Sequence, residues 1–169
     1  MKSYSDLLKE NGHNEVYFGC LGFTISNGED IEDLQVGYSL KPDGKKIGIL
    51  KRGGWRKKWL VIGNDAEVGD PFFIDTASKD LEVYTAMHGM GLWIPERVAK
   101  SLESFLAALE YLYSLGEQEH ARISPDSKTI TDLSELRRIG KRLVDITGEQ
   151  EYWESFLVQY QDWLSDSVE

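Results

Sequence analysis

A single cysteine, Cys20, leaves this chain no intramolecular disulfide to make, and its "VYFGCLGF" surroundings are those of a packed thiol rather than a reactive one. No apolar run approaches the roughly 18 residues of a membrane helix. The opening "MKSYSDLLKENG" mixes acids and bases and contains nothing resembling a signal-peptide core, so a soluble, cytoplasmic protein is expected. Basic residues are also scarce. With 19 Lys and Arg against 29 Asp and Glu the net charge is −10, which argues against a general nucleic-acid binder or an anionic-membrane binder. The three histidines lie far apart, and no His-x-x-x-His or Cys-x-x-Cys pair offers a metal site. Gly-x-Ser-x-Gly, His-Glu-x-x-His, the zinc-deaminase pattern and a phosphate-cradling glycine loop are all missing. No catalytic residue, metal or cofactor is therefore assigned.

What is present is organised in two halves, within a length suited to one domain. Ser3 to Lys9 reads as a short helix stopped at Asn11-Gly12. From Glu15 to Asp75, "EVYFGCLGFTI", "LQVGYSL", "KIGIL", "WLVIG" and "PFFID" are short β-branched and aromatic runs separated by turn-forming residues, and "LEVYTAM" adds one more. Short turns favour antiparallel pairing. After Pro95 the spacing becomes helical: Val98, Leu102, Phe105, Leu109 and Leu112 share a face, with Ser101 an alternative cap that would break the helix. Two further helices follow a polar linker, marked by Leu133 to Val144 and by Trp153 to Leu164, with Gly148 between them and Thr147 and Gln150 at capping-box spacing. The expected class is α+β, an antiparallel-rich mixed sheet of about five to six strands with helices packed on one face and a C-terminal helical extension. Residues 1–116 form the α+β domain and residues 117–169 the extension packed on it.

Two charged features invite a functional reading. Seven bases without an acid lie between Lys45 and Lys58, leaving 12 bases against 29 acids, or −17, elsewhere. This ribbon reads as a solvated hairpin, or else as a phosphate-binding patch interleaved with Trp55 and Trp59. Asp65, Asp70 and Asp75 recur every five residues, but "NDAEVGDPFFID" lacks the alternating oxygens and terminal glutamate of a calcium loop. Turn formation around Gly69 and Pro71 accounts for them, and His88 before "GMG" reads as a turn residue. The aromatic C-terminal helices read as packing faces.

The order of these pieces resembles the SUKH superfamily, in its Smi/Knr-like branch similar to fungal cell-wall-synthesis regulators. The resemblance runs over residues 59–109 and rests on Trp59, Ile62, Gly63 and Asp65, then Gly69, Asp70, Pro71 and Asp75. It continues through Val83, Tyr84, Ala86, His88, Gly89, Gly91 and Trp93 to Val98, Ala99, Ser101, Leu102, Phe105 and Leu106. It implies an α+β fold without catalytic function. It also implies a bacterial immunity protein that binds and neutralises a cognate toxin of nuclease or deaminase type. A partner with a basic active-site cleft suits the acidic chain. Trp55, Trp59, Asp65, Asp70, Asp75, His88 and Trp93 are the expected contact residues. The alternative is an intracellular regulatory or scaffold adaptor acting through the C-terminal aromatic helices.

Overall fold

The computed structural model describes residues 2–47, 52–87, 92–116 and 120–167. Six strands follow one another as a meander, β1 (Glu15–Phe18), β2 (Leu21–Ile25), β3 (Trp59–Asp65), β4 (Pro71–Asp75), β5 (Val83–Thr85) and β6 (Glu96–Ala99). Each pairs antiparallel with the next to give one curled sheet in the order β1-β2-β3-β4-β5-β6. Among the described residues four α-helices complete the fold: α1 (Tyr4–Glu10), α2 (Leu102–Ser114), α3 (Leu133–Thr147) and α4 (Glu151–Asp166). Among the described residues no helix is long and apolar enough to cross a membrane.

Local chemistry fixes most element ends. Ser3 and Asp6 close a reciprocal capping box on α1, and Ser101 and Ser104 do the same on α2. The Ser101 break thus prevails over a continuous helix from Pro95, and Val98 belongs to a strand. Glu96–Ala99 pairs with β5 and buries Val98 and Ala99, so tertiary pairing overrides the helical spacing. Two other expectations are also revised. "LQVGYSL" holds a 3-10 turn at Asp33–Gln35 and isolated bridges in place of a strand. Thr147 caps no box on α4: its hydroxyl donates to the Leu143 carbonyl within α3, and Gln150 makes no side-chain cap. Most of "KIGIL" lies outside the described residues.

The sheet has two apolar faces. Toward the helices, Phe23, Ile62, Phe72 and Ile74 meet Phe105 and Leu109 of α2, Leu136 and Leu143 of α3, and Trp153 and Phe156 of α4 in one core. Phe23 is its hub, with ring centroids 5.3–6.2 Å from Phe72, Phe105, Trp153 and Phe156. The residues expected to form an extension therefore supply part of the central core. Trp153 Nε1 donates to the Val98 carbonyl at 3.0 Å, locking α4 to β6. On the opposite face Trp55, Trp59, Val61, Phe73 and Ala86 form a second, smaller core under the segment that leads into β3. Strand alternation explains the division, since Phe72 and Ile74 point one way and Phe73 the other.

A bulge in β3 separates the two registers. Val61 faces Phe73, then Gly63 faces Phe72, leaving Ile62 as the extra residue. A Cβ at Gly63 would stand 2.2 Å from the Thr24 carbonyl oxygen, so only glycine allows β2 this close. Beyond the end of β2, the buried side chain of Gln35 takes the place of a neighbouring strand. Its Oε1 accepts from the Val61 N–H and its Nε2 donates to the Val61 carbonyl, both at 2.9 Å.

Candidate functional site

The β3–β4 turn is built by Asp65. Its backbone N–H donates to the Asp70 carbonyl, and its Oδ1 accepts from the N–H groups of Glu67 and Val68 at 2.8 Å. This turn, the start of β6 and the first turns of α4 enclose a groove of about 540 Å³. Phe72, Phe156 and Tyr152 line its aromatic part, and Asp65, Asp70 and Glu96 bring carboxylates to it. No Lys or Arg lines it among the described residues. Its rim is formed by Val68, Met87, Leu92 and Ile94, which are 65%, 66%, 46% and 68% exposed. Nine large hydrophobic residues are exposed among those described, so the grouping of four around one groove marks a surface suited to contact.

The electrostatics of the groove follow from burial with like charge. Desolvation, followed by the Glu151 carboxylate, raises Glu96 above the usual glutamate range. The Tyr152 phenol is pushed well above its ordinary value by burial, and then by Asp65 and Glu96. Its ring meets Trp153 and Phe72 edge-on, at centroid distances of 5.0 and 6.5 Å, while its hydroxyl has no hydrogen-bond partner among the described residues. The groove thus offers carboxylate acceptors and a phenol oxygen that can also accept, over an aromatic surface. Such a set recognises a cation with an apolar stem. Among the described residues no three His, Cys, Asp or Glu side chains gather in a way that could hold a metal ion.

The structure separates the contact residues expected from the sequence. Asp65 and Asp70 meet at the groove, whereas Asp75 sits at the far end of β4, paired with Trp59 and capping the Ala77 N–H. Trp55 and Trp59 are only 4% and 5% exposed, so their rings present no surface to a partner. Trp55 lies 4.7 Å from Phe73 and donates its indole N–H to the Trp59 carbonyl. Trp93 is half-buried at the margin of this second core, 5.2 Å from Trp55. His88 lies outside the described residues.

The basic ribbon has the same architecture in reverse. Its tryptophans turn inward while Lys45, Lys46, Arg52, Arg56, Lys57 and Lys58 stay outside, with the Arg56 guanidinium 4.9 Å over the Trp59 ring. The C-terminal aromatics Trp153, Phe156 and Tyr160 are likewise buried. Sequence reading missed Glu96, Tyr152 and the rim of Met87, Leu92 and Ile94, because the groove joins three segments distant along the chain. One signal was available: "MHGMGLWIP" places Met87, Leu92 and Ile94 in a turn-rich stretch where exposed apolar residues have no packing role to fill. Compared with protein-family models, with curated proteins and with solved structures, the chain matches none.

Proposed function

We propose that this chain is a non-enzymatic, cytoplasmic protein-binding module, an immunity protein of SUKH type that binds and neutralises a protein toxin of nuclease or deaminase type. The observation that carries this reading is the apolar-rimmed groove, whose lining among the described residues holds three carboxylates and no Lys or Arg. Exposed methionine and branched side chains around a concave acidic surface suit a protein contact with a basic partner. The motif order over residues 59–109 supports the SUKH assignment, and the net charge of −10 supports a partner that presents a basic catalytic cleft.

The test is to identify from the neighbouring genes or by affinity capture a nuclease or deaminase that binds this chain, and to titrate its activity with the full-length protein. A stable complex and stoichiometric loss of toxin activity are expected. Full toxin activity at saturating concentrations of a correctly folded chain would refute the proposal.

A further inference from the structure

We infer that the groove between the β3–β4 turn and α4 recognises one lysine or arginine side chain, flanked by apolar residues, on the surface of a protein partner. This rests on the protein-binding reading above and specifies what its site takes. The three carboxylates are not equivalent. Asp65 already caps the turn through Oδ1, whereas Glu96 makes no ion pair with any described residue and has Glu151 as its charged neighbour. Facing them, the Tyr152 hydroxyl also has no hydrogen-bond partner among the described residues.

An acidic or phosphorylated ligand would meet like charge on entering. A purely apolar side chain would strip water from Glu96 and Tyr152 without replacing its hydrogen bonds. A long cationic side chain avoids both costs: its stem covers Phe72 and Tyr152, and its charged head reaches the carboxylates. Arginine adds stacking on the phenol ring. The exposed rim argues for a polypeptide rather than a small amine. Val68, Met87, Leu92 and Ile94 stand around the mouth, where only the residues flanking the cation can cover them.

The experiment is an NMR titration of the uniformly ¹⁵N-labelled full chain with the capped tripeptide Ac-Leu-Arg-Leu-NH2. Parallel titrations use its citrulline counterpart, which is neutral but nearly isosteric, and agmatine, which is the cation without flanks. Amide shifts at Val68, Asp70, Met87 and Ile94 are expected with the arginine peptide. Affinity should fall about tenfold with citrulline, with agmatine, and in the Glu96→Gln variant. Shifts confined to other surfaces, equal binding of the citrulline peptide, or no shifts at millimolar peptide would each overturn the inference. Agmatine binding as tightly as the peptide would also overturn it, by making this a small-amine site.

Failure of this inference is distinguishable from failure of the immunity reading. If Glu96→Gln and Ile94→Ser both leave toxin neutralisation intact, the groove assignment falls while the immunity function stands. If the arginine peptide binds as expected but the neighbouring toxin stays active, the groove chemistry stands and the immunity function falls.

Discussion

Gln35 shows how much a single buried residue can carry. Both ends of its amide are bonded to Val61, and Nε2 also donates to the Ile31 carbonyl at 2.7 Å. Gln35→Leu would keep the bulk but leave the Val61 N–H and carbonyl unpaired in a site from which water is excluded. At about 1–3 kcal/mol for each of the two orphaned groups, a loss of about 2–6 kcal/mol is expected in urea unfolding. A change below about 1 kcal/mol would mean that β3 finds other partners. A second residue-scale prediction concerns alkali. Burial raises the Tyr160 phenol from 10.0 to about 12, and Tyr152 is raised as well. Between those values the unfolded chain has released the Tyr160 proton and the folded chain still holds it. The unfolded state then binds fewer protons, so stability must fall as pH rises from 10.0 toward about 12. Tyr160→Phe removes that titration along with the hydrogen bond to the Ile130 carbonyl. The variant should be less stable near neutrality by about 1 kcal/mol, yet lose less than the parent on going to high pH. Parallel losses in the two proteins would show that Tyr160 does not report the transition.

At the scale of elements, the helices after residue 116 belong to the fold itself. Leu136, Ile139, Leu143, Trp153, Phe156, Leu157 and Tyr160 share one core with the sheet. Arg97 of β6 also forms ion pairs with Glu82 at 2.8 Å and with Glu149, at the α3–α4 corner, at 2.5 Å. A chain ending at Gly116 would expose the aromatic surface around Phe23 to water, and is expected to lack a cooperative thermal transition. A cooperative transition and dispersed NMR spectrum from that fragment would show that residues 1–116 fold alone. The milder Trp153→Phe, which deletes the bond to Val98, should cost at least about 2 kcal/mol while the fold persists. The strands of the meander were legible in the sequence where a run was both apolar and flanked by turn chemistry, as in "WLVIG" and "PFFID". Glu96–Ala99 was not, because Glu96 and Arg97 break the apolar run and the strand exists through its pairing with β5. Asp65 and Asp70 could be read as turn residues from their neighbours, but their meeting with Glu96 and Tyr152 could not. That meeting depends on how α4 docks, which no local pattern encodes.

Over the whole molecule, charge is segregated rather than mixed. Bases cluster along 45–58 and on the exposed face of α3 at Arg137, Arg138, Lys141 and Arg142, while the charged side chains lining the groove are all acids among the described residues. The net −10 would draw a basic partner from a distance, and the uneven distribution would turn the groove toward it before contact. Apolar burial at Met87, Leu92 and Ile94 would then govern how long the complex lasts. The two contributions respond differently to salt. Raising ionic strength from about 50 to about 500 mM shortens the Debye length from about 14 to about 4 Å, which screens steering far more than close contact. For the proposed toxin complex, stopped-flow association should slow by about tenfold or more across that range, with dissociation changing much less. Met87→Ser and Ile94→Ser should do the opposite, speeding dissociation and sparing association. If salt acts mainly on dissociation, or if the rim variants mainly slow association, steering and grip do not divide between the acidic charge and the apolar rim, and the contact surface must lie elsewhere on the molecule.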